Sequence, residues 1–244
     1  MNEKTWYPAY VLHARAYRET SVLADLFLPE FGRITAIARG ARRKGQQVPS
    51  VFQPYFIQLA GQSELRAVAA LEATSQALSL QGGALFSGLY LNELLVRLLP
   101  RELAQPELFV AYAGALGALS ELEVADAEAI APILRRFERQ LLESMGQWAS
   151  NTSEAESGEP LQAPQYYQYY PEHGWLPARE GQRGACLGED ILAVHAEDLS
   201  TPSRLRLAKA LYRSALAPLL GDKPLKSRDL FAALQASAKP EMPT

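Results

Sequence analysis

The sequence predicts an α+β chain of several domains: a five-stranded OB-type β-barrel at the N-terminus, then a helical domain carrying a small inserted hairpin. Three observations carry this. Short apolar runs with a period near two fill residues 8–75, separated by turn residues. From residue 85 the leucines recur at helical spacing. A tyrosine-rich stretch at residues 166–175, Y-Y-Q-Y-Y-P-E-H-G-W, then interrupts the helical pattern.

The strands are expected at residues 10–15, 21–28, 32–39, 52–59 and 65–73. Pro54 suggests an edge or a bulge in the fourth. The alanines of the fifth also suit a helix. Turn residues at 29–32 and 60–63 punctuate the run. Five strands in so short a span fit an OB-type barrel, a fold that commonly binds oligonucleotides on one face. An SH3-like barrel or an open sheet uses the same pattern.

Helices follow. Leu85, Leu89, Leu91, Leu94, Leu95, Leu98 and Leu99 share helical spacing up to Pro100. Pro106 opens a second helix, and residues 127–148 form a third. Residues 151–164 are polar and acidic and read as a mobile connector. A hairpin turning at residues 171–174 comes next, its tyrosines either packing or offering bases a stacking platform. A short helix is expected at 189–199. A long one at 204–220 is capped by Thr201 or Ser203 and ended by Gly221. A last short helix follows, and the tail beyond Ala238 is expected to fray. The domains are therefore expected at 1–80 (barrel), 81–150 (helical), 151–200 (connector and hairpin) and 201–244 (helical).

The stretch that carries chemistry is residues 31–45, F-G-R-I-T-A-I-A-R-G-A-R-R-K-G. A predicted strand runs into a loop where Gly40 and Gly45 bracket Arg42, Arg43 and Lys44. No acid occurs between Glu30 and Glu64. Such a loop lets backbone approach a surface while its cations match phosphate charge. A solvated surface loop is the competing reading.

Net charge is −3, but its distribution is uneven. Residues 1–80 carry 9 basic and 6 acidic side chains, residues 81–200 carry 7 and 18, and residues 201–244 carry 8 and 3. Screening limits charge effects to about 10 Å, so local patches count more than the total. Nothing approaches a membrane-spanning apolar run, and the N-terminus lacks a signal-peptide core. A cytoplasmic protein is expected. Cys186 is the only cysteine, which excludes an internal disulfide and a multi-cysteine zinc site. His13, His173 and His195 have no metal-ligand spacing, and no phosphate-binding or nucleophile-elbow motif occurs. The weight falls on binding rather than catalysis, with no cofactor and no metal ligands.

Five stretches, in this order and spacing, resemble the bacterial RecO family of recombination mediators nearly end to end. They are Val11-Leu12 with Glu19-Thr20-Ser21; Gly32-Arg33 with Ala38-Arg39-Gly40-Ala41-Arg42; Phe86-Ser87-Gly88-Leu89-Tyr90-Leu91-Asn92-Glu93-Leu94; Leu134-Arg135-Arg136-Phe137-Glu138; and Leu219-Leu220-Gly221-Asp222-Lys223-Pro224-Leu225-Lys226-Ser227-Arg228. The resemblance implies an N-terminal OB barrel, a helical domain and an inserted region that binds zinc in some members. The four-cysteine zinc motif is absent here, so the resemblance is to a zinc-free branch.

It further implies a non-enzymatic, cytoplasmic, nucleoid-associated protein of DNA repair. Such a protein binds single- and double-stranded DNA without sequence specificity and anneals complementary strands. With RecR, it helps RecA load on DNA covered by single-stranded DNA-binding protein (SSB). Known members contact the acidic, Phe-ended SSB tail through an apolar pocket with an arginine. The first arginine of the R-R-F motif carries this role to Arg135, with Leu134 and Phe137 as pocket neighbours. For DNA, Arg33, Arg39, Arg42, Arg43 and Lys44 are the expected phosphate contacts. Lys223, Lys226 and Arg228 extend the track if the fold brings them beside the barrel. An RNA-binding barrel and a protein-only adaptor are the alternatives.

Overall fold

Five strands close into a barrel: β1 (Tyr7–Tyr17), β2 (Ser21–Leu28), β3 (Gly32–Ala38), β4 (Pro54–Ala60) and β5 (Leu65–Ala73), in the order β1-β2-β3-β5-β4. This computed structural model describes residues 5–61, 65–123, 126–148 and 152–237. β1 pairs with both β2 and β4, and β3 runs parallel to β5. The barrel is thus the closed OB type rather than an open sheet. Its interior follows from the alternation: Val11, Ala24, Leu26, Ile34, Ala36, Ile57 and Leu59 point inward and are buried.

β1 is longer than the expected 10–15 because a bulge between Val11 and His13 lets one strand serve two partners. Pro54 opens β4 instead of interrupting it, and β5 is a strand despite its alanines. Gly32, which starts β3, has φ +59°, and a Cβ there would lie 1.9 Å from the Leu103 carbonyl oxygen. Only glycine fits that approach.

By contact density the chain forms two compact units, residues 1–130 with 222–244, and residues 131–221. In the first, α1 (Gly82–Leu98) and α2 (Pro106–Ser120) cover the barrel. Asn92 of α1 donates to the Leu12 carbonyl at 2.9 Å and accepts from the Tyr112 hydroxyl. Tyr10 and Phe27 on the barrel pack mainly edge-on against Phe109 and Tyr112 of α2, with centroids 5.2–6.0 Å apart. α3 (Ala127–Ser144) begins in this unit, and α6 (Lys226–Ser237) returns to it.

In the second unit the expected two-stranded hairpin, β6 (Tyr166–Tyr170) and β7 (Gly174–Ala178), gains a third strand, β8 (Ala185–Leu187). α4 (Gly188–His195) and α5 (Pro202–Leu220) complete the unit. Thr201 is the cap of α5, accepting from Arg204 N at 3.3 Å. α3 stops short of the expected residue 148, with Gly146 at φ +66° just beyond. Residues 152–164 of the segment expected to be a mobile connector are instead tied down. Leu161 is buried, Leu161 N donates to Thr152 O, and Ala155 N donates to Trp175 O, both at 2.8 Å. Residues 238–244, expected to fray, lie outside the described residues. Among the described residues, no helix is long and apolar enough to cross a membrane, and no cluster of metal ligands occurs.

Candidate nucleic-acid interface

β1, β2 and β3 form an antiparallel meander, so the β1–β2 turn and the loop leaving β3 emerge at the same end of the barrel. Hydrogen bonds join the two. Arg42 N donates to Thr20 O at 2.9 Å, and the Arg42 guanidinium reaches Arg18 O at 3.5 Å. Within the loop, Arg43 N donates to Gly40 O and Gln46 N to Arg43 O, at 2.9 and 3.1 Å. Ala41 is buried against Val22 and Ala38 and anchors the loop. Arg39, Arg42, Arg43 and Lys44 are left exposed around that anchor.

The same end holds cations that no local charge run marks. Arg18, at φ +53° in the β1–β2 turn, is exposed, and its guanidinium lies 5.3 Å over the Tyr17 ring. Register places Arg15 opposite Leu23 and Leu23 opposite Ile37, one face of the sheet that Tyr17 and Arg39 continue. Six exposed cations therefore converge: Arg15, Arg18, Arg39, Arg42, Arg43 and Lys44, with Glu19 as an acidic neighbour. The signal that finds Arg15 and Arg18 is the meander itself, because its geometry joins that turn to the basic loop.

Arg33 belongs elsewhere. It sits at the opposite end of β3, half-buried, with its Nε donating to Leu99 O at 3.1 Å and its own carbonyl accepting from Glu102 N at 3.1 Å. Burial lowers its pKa, partly offset by Asp25 and reinforced by Arg101. Its hydrogen bonds fasten the barrel to the chain after α1, away from the basic loop.

Lys223, Lys226 and Arg228 are exposed on a segment latched to α1. Arg97 donates to Lys223 O at 2.9 Å and to Pro224 O at 3.2 Å. Glu93 accepts from Lys226 N, Ser227 N and the Ser227 hydroxyl at 2.9, 2.9 and 2.7 Å. Burial opposes ionisation of Glu93, but these hydrogen bonds and Arg97 outweigh it and hold its carboxyl below the ordinary range. The Arg228 guanidinium lies 5.6 Å over Tyr90 of α1. This basic segment therefore sits on the α1 face, within the same compact unit as the barrel.

The residues expected to receive an acidic tail lie on α3. Arg135 is 7% exposed, and its guanidinium donates to Glu138 at 2.7 Å. Phe137 is buried and Leu134 half-buried. Arg136 is the exposed cation of the motif, because it lies off the helix face that buries residues 135 and 138. Arg139 donates to Glu143 at 2.7 Å and to the Val194 and His195 carbonyls at 3.0 and 2.9 Å, closing the C-terminus of α4.

Two family models match, described as Recombination protein O N terminal over residues 1–77 and Recombination protein O C terminal over residues 80–235. The chain belongs to the RecO family. A Pseudomonas putida protein named DNA repair protein RecO is 46% identical over 231 residues, covering 95% of this chain and 99% of the relative. Its Stutzerimonas stutzeri counterpart is 43% identical over 232 residues, 95% of each chain. The Actinobacillus pleuropneumoniae counterpart is 38% identical over 234 residues, covering 95% and 96%. Family membership assigns the chain a role in DNA repair and recombination.

Proposed function

We propose that the chain binds single- and double-stranded DNA through the basic end of the barrel, anneals complementary strands and acts as a recombination mediator. The observation that carries the reading is the convergence of six exposed cations from the β1–β2 turn and the loop after β3. Phosphate contacts hold no sequence information, so binding is non-specific and falls with salt. Annealing needs no nucleotide hydrolysis: a basic surface that holds two strands lowers their mutual repulsion, and base pairing supplies the driving force. Lys223, Lys226 and Arg228 offer a second phosphate-binding segment. Arg33 contributes by holding the barrel in place.

Family resemblance supports SSB, RecR and, through them, RecA as partners. For the acidic SSB tail, contact with Arg135 requires the Arg135–Glu138 pair to open, whereas Arg136 stands exposed beside it. Leu134 and Phe137 remain its proposed apolar neighbours. Annealing of complementary oligonucleotides precoated with SSB, followed across a salt series, tests the function. Acceleration that fades with salt is expected. No acceleration while DNA binding persists would reduce the protein to a DNA-binding module. Preference for RNA over matched DNA in competition would favour the RNA-binding reading.

A further inference from the structure

A cavity of about 310 Å³ lies within the 131–221 unit, lined by Trp148, Tyr169, Trp175, His195 and Ala215 among others. That volume is at the lower end of small-molecule sites, about 300–1,000 Å³. Its wall is mixed, with Trp148, Tyr169 and Trp175 beside His173, His195 and the polar Gln147 and Glu172. Trp148 stacks on His195 with centroids 5.2 Å apart and planes 21° apart, and Tyr169 packs on Trp175 at 5.1 Å.

The two stacked rings carry an unmet polar demand. His195 is 9% exposed, and neither of its ring nitrogens has a hydrogen-bond partner among the described residues. Trp148 Nε1 is buried in the same condition. Buried polar atoms are nearly always paired, so three orphans on adjoining rings beside a cavity call for an explanation. Burial and, secondarily, Arg139 hold the His195 pKa down to about 4, so the ring is neutral and offers one donor and one acceptor. The indole adds a donor. Among the described residues no hydrogen bond fixes either ring, and because all three atoms are closed to solvent, a guest in the cavity is hydrogen-bonded only once the rings turn toward it.

We infer that this cavity takes an uncharged, planar nitrogen heterocycle of the nucleobase class, seated against the aromatic rings and hydrogen-bonded through His195 and Trp148. A phenyl or aliphatic side chain stacks or packs but leaves all three polar atoms unmet. Glu172 in the lining opposes an anionic group, while Arg139 acts on His195 from behind it. A base edge supplies in-plane donors and acceptors, and its faces suit the rings. The same heterocycle arrives either as a free nucleoside or as an unstacked base of a single strand. The inference stands on the cavity alone and not on the barrel.

The test uses the full-length chain titrated with deoxyadenosine, deoxycytidine and thymidine, read by tryptophan fluorescence and by saturation-transfer NMR of the ligand. Saturable binding of at least one nucleoside is expected. His195→Phe keeps a ring for stacking but removes both nitrogens, and weakens binding by roughly tenfold. Ala215→Leu fills the cavity from a half-exposed helix position and produces a similar loss with thermal unfolding unchanged. Arg42→Ala with Arg43→Ala leaves nucleoside binding intact, which separates this site from the barrel. Displacement by a single-stranded oligonucleotide but not by duplex supports the site with a strand base as the source. Absence of displacement supports it with a free nucleoside as the source. No saturable binding of any of the three, or undiminished binding in both cavity variants, overturns the inference. So does a Phe-ended acidic peptide that occupies the cavity, is lost in Ala215→Leu and excludes no nucleoside.

Discussion

The Glu93 carboxylate accepts from both the backbone N–H and the hydroxyl of Ser227, 134 residues away in sequence, at 2.9 and 2.7 Å. With Lys226 N as a third donor, it caps the N-terminus of α6 and fixes the basic segment 223–228 to α1.

Glu93→Gln should therefore cost stability. Hydrogen bonds to a charged acceptor contribute about 1.5–3 kcal/mol. Because the folded pKa is depressed, the wild-type advantage is fully present above the ordinary carboxylate range. It is lost as pH falls through the lower folded value. Urea unfolding of both proteins from neutral to acidic pH should show a gap that closes on acidification.

Arg135→Ala should behave as a core mutation rather than a surface one. Removing a guanidinium buried against Glu138 costs about 3–5 kcal/mol. Arg136→Ala, at an exposed position, should stay within about 0.5 kcal/mol. Denaturant midpoints measure both. If tail-peptide binding falls in Arg136→Ala while stability holds, the exposed arginine is the contact.

His195 makes stability fall toward acid. Its folded pKa of about 4 lies below the ordinary 6.5, so stability is complete above about pH 6.5 and is lost down to about pH 4. The full span corresponds to about 3 kcal/mol at 1.36 kcal/mol per unit. His173 and Glu172 line the same cavity and Arg139 acts on the ring, so the His195→Phe variant isolates the contribution of His195. Its unfolding free energy should be flatter across that window.

Gly32→Ala should destabilise the barrel and loosen its join to the helices. Both the φ of +59° and the 1.9 Å approach to Leu103 O oppose a side chain. A loss of several kcal/mol is expected, on the order of other strained and overpacked sites. Thermal unfolding reads it directly.

Much of the fold was legible in the residues. β2 and β5 fall where the alternation puts them, and Pro106 and Thr201-Pro202 mark helix starts by capping chemistry. β1 was cut short because a bulge shifts the alternation that reveals it. β8 was missed because three residues hold no period, and its strand character comes from pairing with β6. The order of residues 152–164 comes from backbone hydrogen bonds, including one to Trp175, that composition does not encode. The basic loop was visible as a charge run. Its partners Arg15 and Arg18 were not, since only the meander brings them there. Burial of Arg135 depends on helix phase within a packed unit, which a motif does not specify.

The slope of log binding constant against log salt for a single-stranded oligonucleotide tests the central claim most directly, comparing wild type, Arg42→Ala with Arg43→Ala, and Arg33→Gln. Each phosphate contact contributes about 0.7 to the slope on single strands. The double variant should flatten it by about 1.4, and adding Arg18→Ala should flatten it further. Arg33→Gln should leave it unchanged, because that arginine is committed to Leu99 O. An unchanged slope in the double variant, or equal flattening by Arg33→Gln, would contradict a DNA interface at this end of the barrel.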